Sequence, residues 1–161
     1  AAGGVGHLAV QLARWIGARV IGTASARNEA YLRELGVDAF VDYTAGLPAE
    51  LAGSADLVLD TNAGGDRDWL IDALKPGGRL VPIAFGSHSA DKAAKAGVEV
   101  QDVQFPPVTA AVLEELARLV GEGRLRVTID SVFPLEETAK AHERSESRRA
   151  RGKIVIRVPS E

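Results

Sequence analysis

The feature that most limits the fold is an alternation of short β-prone runs with stretches of helical apolar spacing. From Val5 onward, Leu8, Ala9, Leu12, Ala13 and Ile16 recur at helical intervals, and Gly17 supplies a stop. A short strand is expected over Arg19 to Thr23, then a helix from Glu29 to Leu35 closed by Gly36. The pattern continues with expected strands at Ala39 to Val41, Leu57 to Asp60, Arg79 to Ile83 and Val98 to Phe105, and helices at Asp66 to Leu74 and Ala90 to Ala96. Such alternation lays strands side by side in a parallel sheet and covers both faces with helices, so the expected class is α/β, a doubly wound parallel sheet. Leu113, Leu116, Ala117 and Val120 mark one more amphipathic helix, ended by Gly121 and Gly123. Beyond it, Val127 to Phe133 reads as a strand, Leu135 to Glu143 as a helix and Lys153 to Val158 as a last strand.

The chain opens Ala1-Ala2-Gly3-Gly4-Val5-Gly6 and runs straight into the first helix. Unpaired N–H groups at a helix start, with the positive end of its dipole, favour an anion there, and glycine lets a pyrophosphate approach the main chain. Gly3 and Gly4 suit that approach, with Val5 beside them, and Gly6 suits close packing of the helix. Ala1 stands where the usual fingerprint has its first glycine, and the plainer alternative is a tight turn whose small residues serve packing alone.

Dinucleotide sites selective for NAD place an acid at the end of the second strand, roughly 20 residues on. Here that place reads Gly22-Thr23-Ala24-Ser25-Ala26-Arg27-Asn28. With no carboxylate to repel it, and with a hydroxyl and a guanidinium at hand, a 2′-phosphate is accepted there, which favours NADPH. The alternative has Ser25 capping the next helix and Arg27 solvated.

Composition removes several classes. A net charge of -3 offers no basic stripe for nucleic acid. There is no cysteine, hence no sulfur-dependent zinc site, and His7, His88 and His142 lack short ligand spacing, so they are expected to be solvated or capping and no metal is expected. No apolar run approaches the roughly 20 residues of a membrane span, which leads to an expected cytoplasmic location. With no methionine anywhere, the 161 residues are expected to be a fragment or processed product.

Taken in order, these segments resemble the medium-chain dehydrogenase/reductase superfamily, in its zinc-independent NADPH:quinone oxidoreductase branch. The resemblance rests on Ala1 to His7 with the helix to Ala13, Gly22 to Ser25, Leu35-Gly36-Val37-Asp38, Val41-Asp42-Tyr43, Asp56 to Thr61 and Leu74 to Val81. In the tail it rests on Gly123-Arg124-Leu125, Val132 to Glu137, Ala141-His142-Glu143 and Arg151 to Val155. It implies a Rossmann-type sheet in which Gly3, Gly4 and Val5 hold the pyrophosphate, while Ser25, Arg27 or Asn28, and Tyr43 surround the adenosine 2′-phosphate. Thr61, Asn62 and Ile83 match strand ends near the nicotinamide; Asn62 departs from the apolar residue common there, and Tyr43 could instead be a core ring with a wet hydroxyl. The arginines Arg148, Arg149 and Arg151, with Lys153, could reach phosphate in the assembled enzyme, and the expectation is a solvated loop.

The family's first strand precedes the glycine turn, so the sheet is expected to lack it here, and residues 1–123 are expected to form the dinucleotide domain. Residues 124–161 are the tail that, in the family, returns to a catalytic domain outside this chain. The resemblance implies hydride transfer to a quinone or conjugated carbonyl substrate bound through that domain, with no catalytic residue identified here. An enoyl reductase of a polyketide or fatty-acid assembly shares fold and glycine turn. Lys75-Pro76-Gly77-Gly78-Arg79-Leu80 also suits an S-adenosylmethionine-dependent methyltransferase, and a non-enzymatic nucleotide-binding module stays open. An apolar edge strand over 98–105 leads to an expected homodimer.

Overall fold

The computed structural model describes residues 1–62, 66–83, 88–101 and 107–159. The chain is a mixed α/β protein running α1 (Gly6–Trp15), β1 (Ile21–Ala24), α2 (Glu29–Glu34), β2 (Ala39–Asp42), β3 (Ala55–Asp60), α3 (Trp69–Asp72), β4 (Leu74–Pro82), α4 (Ala90–Ala96), β5 (Glu99–Val100), α5 (Ala110–Gly121), β6 (Ile129–Pro134), α6 (Thr138–Glu146) and β7 (Lys153–Arg157). Among the described residues the strands form three sheets, β1–β2, β3–β4–β5 and β6–β7. The pairs β3–β4, β4–β5 and β6–β7 are parallel, as the alternation implies. The chain divides into two compact units, Ala1–Phe40 with Val108–Glu161, and Val41–Pro107.

In the first unit, Val10, Ala24, Tyr31, Leu32, Leu35 and Val37 form the core. The buried face of α1 is Gly6, His7 and Val10. The apolar spacing that began at Val5 mislocates that face, because Val5 is 47% exposed and Ile16 is 73% exposed. The physical reason lies at His7, whose ring is hydrogen-bonded at both nitrogens and draws its side of the helix inward. β1 lies close to the chain beyond α2: a Cβ on Gly22 would come within 2.6 Å of Val37 Cγ1.

At α5 the expected stripe is also displaced. Leu113 and Val120 are exposed, and Leu119 is the buried residue. After the helix, Gly123 takes φ +69° and the amides of Arg124 and Leu125 donate to Leu119 O, which places Leu125 in the same buried corner. The tail closes on Asp130 of β6. Its carboxylate accepts from Arg144 Nε (2.8 Å) and Nη2 (2.7 Å) of α6 and from the Arg151 amide (2.9 Å) just before β7.

The second unit packs Leu70, Ile71, Leu74, Leu80, Ala93 and Val98 together. Ile71 and Leu80 are fully covered, each stabilising by roughly 1.5 to 3 kcal/mol. The expected helix over Asp66 to Leu74 contracts to the four residues of α3, since Leu74 already opens β4 opposite Ala55. Sheet pairing wins there because the amides of Ser54 and Ala55 take the Ala73 carbonyl, which fixes the chain's exit from the helix. α4 is capped by Ser89, whose hydroxyl accepts the Lys92 amide, and is followed by Gly97 with φ +65°. Of the strand expected over Val98 to Phe105, the described residues show β5 at Glu99–Val100, and Val103 and Phe105 lie outside them.

Candidate functional site

Backbone arrangement rather than side-chain chemistry shapes the start of α1. The helix has no side-chain cap and no acid in its first turn. The first intrahelical-type bonds are His7 N to Gly3 O (3.2 Å) and Leu8 N and Ala9 N to Val5 O (3.1 and 3.0 Å), and the amides of Gly4 and Val5 find no acceptor among the described residues. A Cβ on Gly3 would meet nothing within 4 Å, so the turn opens to free space. A Cβ on Gly6 would meet the Ala1 carbonyl oxygen at 2.5 Å, so only glycine lets the preceding chain cross the helix start.

His7 is the residue whose role sequence reasoning missed. It is buried, with no exposed surface, and is neither solvated nor a cap. Its Nδ1 lies 2.9 Å from Gly3 O, and the Thr128 amide donates to its Nε2 at 3.3 Å. One nitrogen therefore donates and the other accepts, which defines a neutral imidazole protonated on Nδ1. Burial, with Lys153 nearby, holds its pKa below the ordinary value although the Gly3 bond works the other way. The ring thus locks Gly3 to the entry of β6, across 121 residues of sequence. Only its position directly after the glycine turn, facing helix-inward, could have flagged it.

At the end of β1, Ser25 precedes a 3-10 turn over Ala26–Asn28 and makes no side-chain cap to backbone. Its Oγ instead accepts from Asn28 Nδ2 (3.2 Å), while Asn28 Oδ1 accepts from Arg151 Nε (2.7 Å). Asn28 is buried and Arg27 exposed. Arg151 Nη2 also donates to Arg27 O (2.6 Å), with its guanidinium 5.9 Å from the Tyr31 ring centre. Arg151 stays exposed, as expected of a solvated loop, but its guanidinium is fixed on Asn28 Oδ1 and Arg27 O beside the Tyr31 ring.

The following residues complete the link. Gly152 N donates to Ala2 O (3.0 Å), and Lys153 N donates to Thr128 O (2.8 Å). A Cβ on Gly4 would lie 3.2 Å from Gly152 O and 3.4 Å from Lys153 Cδ. Arg151-Gly152-Lys153 therefore bridges the end of β1 and the glycine turn. Of the expected site residues, Gly3, Gly4, Val5, Gly6, Ser25, Arg27 and Asn28 belong to this unit.

Tyr43, Thr61, Asn62 and Ile83 belong to the second unit. Tyr43 is 50% exposed and so is not a core ring. Thr61 and Asn62 follow β3, and the Ile83 amide donates to Asp60 O (2.9 Å), which sets them at adjacent carboxyl ends of parallel strands. That is where doubly wound folds bind ligands. Behind them lies a buried polar knot. Asp60 Oδ1 accepts the Asn62 amide (3.1 Å), and Oδ2 accepts from Arg67 Nε (2.8 Å) and His88 Nε2 (3.1 Å). The His88 side chain is 1% exposed, again not solvated, and its Nδ1 has no hydrogen bond, with Asp68 Oδ1 3.7 Å away.

Among the described residues no three histidine, cysteine or carboxylate groups gather into a set able to hold a metal ion. No helix among them is long and apolar enough to cross a membrane.

Comparison with known proteins agrees with this architecture. Residues 35–156 match the family model described as zinc-binding dehydrogenase. The chain is 36% identical to the medium chain reductase pydE of Acremonium sp, covering 98% of this chain and 50% of that protein. Among solved structures it resembles the quinone oxidoreductase from Coxiella burnetii (36% identity, TM-score 0.83, 98% of this chain and 50% of that one). It also resembles the CurK enoyl reductase (26% identity, TM-score 0.76, 98% and 52%). The chain thus spans about half the length of the relatives it matches. It belongs to the zinc-binding dehydrogenase family, within the medium-chain dehydrogenase/reductase superfamily of oxidoreductases.

Proposed function

We propose that this chain is the NADPH-binding domain of a zinc-independent oxidoreductase that passes hydride to a quinone or a conjugated carbonyl compound. The observation that carries the reading is the uncapped start of α1 at a glycine turn that opens to free space. The amides of Gly4 and Val5 donate to the diphosphate, with Gly3 leaving the room it needs and Gly6 keeping the turn tight. Ser25 and Arg27 receive the 2′-phosphate without a competing acid, and Asn28, held by Arg151, shapes the turn that presents them; Tyr43 is assigned to the adenosine by the family resemblance alone. Thr61, Asn62 and Ile83 line the nicotinamide half, on strand ends held by Asp60. Reduced nicotinamide, when bound, supplies the hydride, and the protein's task is to orient it.

Relatives named as NAD(P)H oxidoreductases and quinone oxidoreductases support the cofactor and the acceptor class. The half-length match supports binding of the substrate through a part of the protein outside these residues. Enoyl reduction is the second reading, favoured by the CurK likeness. β5 ends the β3–β4–β5 order and leaves Val100 exposed, which supports pairing of two copies at this edge.

Calorimetry on the full-length protein tests the cofactor: NADPH is expected to bind about tenfold or more tightly than NADH, and Arg27→Glu to reverse the order. Consumption of NADPH with a quinone, against a 2-enoyl thioester, separates the two acceptor classes. Binding of S-adenosylmethionine without NADPH overturns the proposal.

A further inference from the structure

The polar knot behind β3 contains one buried group whose hydrogen bonding is incomplete. The His88 side chain is 1% exposed, and its Nε2 lies 3.1 Å from Asp60 Oδ2, an oxygen that also accepts from Arg67 Nε (2.8 Å). A carboxylate paired with a guanidinium offers only lone pairs, so Nε2 carries the proton and the neutral ring keeps a bare lone pair on Nδ1. Among the described residues that nitrogen has no hydrogen-bond partner, and Asp68 Oδ1 stands 3.7 Å from it. Two acceptors thus face each other in a buried place, an arrangement that costs free energy until a proton lies between them.

Asp68 is itself anchored. Its Oδ1 accepts the Ser89 amide (2.9 Å), and its carbonyl accepts from Lys92 Nζ (2.9 Å), which also pairs with Asp72 Oδ2 (2.7 Å). The charged groups around the ring and its partners are therefore Asp60 from β3, Arg67 and Asp68 ahead of α3, Asp72 on α3 and Lys92 on α4, three carboxylates against two cations. An imidazolium cancels the remaining negative charge and turns Nδ1 into a donor aimed at Asp68. On its other side Asp60 holds the strand ends: Oδ1 accepts the Asn62 amide (3.1 Å) and the main-chain carbonyl accepts the Ile83 amide (2.9 Å). We propose that His88 is a positioning residue for the nicotinamide end of the site: it holds the Asp60 carboxylate from behind, and a proton taken up on Nδ1 ties it to Asp68 as well, stiffening Asn62 and Ile83 where the nicotinamide binds. The inference rests on the nucleotide reading of the preceding subsection and adds to it a proton-dependent control of affinity.

The test is calorimetric, on the full-length protein, with NADP+ and 2′-phospho-ADP-ribose as probes, which differ only in the nicotinamide. Both carry the diphosphate and the 2′-phosphate, so titration of those groups, and of His7 at the glycine turn, cancels in the ratio of the two affinities. That ratio is expected to rise about fivefold in favour of NADP+ as pH falls from 8 to 5, roughly the histidine range. His88→Gln keeps a donor toward Asp60 but takes up no proton, and Asp68→Asn removes the charge that attracts one; both are expected to flatten the rise. A ratio independent of pH in the unaltered protein overturns the proposal, as does the same rise in both variants. NMR of the His88 ring nitrogens, assigned by their loss in His88→Gln, is expected to place the proton on Nε2 at pH 8; a proton on Nδ1 instead overturns the geometry. Failure of the unaltered protein to bind either probe removes the nucleotide reading and the positioning role with it, an outcome distinct from binding both probes at a ratio that ignores pH.

Discussion

Substituting Gly152 by alanine would separate two costs that usually arrive together. The residue sits at φ +79°, where an L side chain costs about 1 to 2 kcal/mol. Its new Cβ would also overlap the Thr128 carbonyl oxygen and lie 2.8 Å from both Thr128 C and Thr128 Cβ. Thr128 cannot retreat freely, because its amide donates to His7 and its carbonyl accepts from Lys153. Forcing atoms into a packed site costs about 1 to 3 kcal/mol, so the sum is about 2 to 5 kcal/mol, a large share of a domain's 5 to 15. Gly123→Ala is the control: φ is +69°, with nothing within 4 Å of the added carbon, so it carries only the left-handed cost. Urea unfolding of the full-length protein, followed by Trp15 fluorescence in a Trp69→Phe background, gives both values. Cofactor calorimetry should show Gly152→Ala weakened as well, since the Gly152 amide ties the chain to Ala2. Equal unfolding midpoints for the two variants would refute the overlap argument.

Three further outcomes are expected. His7 has a folded pKa below its ordinary 6.5, so the unfolded chain binds the extra proton. Its stability contribution is complete above pH 6.5 and is lost as pH falls through the lower folded value; the pH dependence of the urea midpoint between 8 and 5, roughly the histidine range, should flatten in His7→Gln. Asp60→Ala strands Arg67 and His88 in a buried site and should destabilise by about 3 to 5 kcal/mol, read by thermal unfolding, with a smaller loss in a variant that also replaces Arg67 by methionine. Asp130, held near a pKa of about 2 chiefly by Arg144, stabilises fully above pH 3.8 and loses that contribution as pH falls toward 2; Asp130→Asn should remove this acid-limb loss in a pH series of melting temperatures.

The order of elements was legible because a period of two and a period of 3.6 leave different marks on a chain, and the glycine turn was legible because glycine at a helix start has few other uses. The faces of α1 and α5 were not, since apolar spacing at Val5, Ile16, Leu113 and Val120 exceeds what the described residues cover. The helix expected over Asp66 to Leu74 failed at the point where Ala73 accepts two amides from Ser54 and Ala55, a pairing that local propensity does not encode.

The sequence by itself determined the parallel α/β class, the glycine turn into α1 and the acid-free stretch Ser25 to Asn28, all of which depend on residues adjacent in the chain. Tertiary structure alone decided that His7 is neutral and buried, that Asp60 gathers Arg67, His88 and the Asn62 amide, and that Arg151-Gly152-Lys153 spans from Asn28 to Gly4. The reason is physical: a charge or an imidazole takes its protonation state and its partner from whatever the fold brings alongside, and here the partners come from up to 124 positions away.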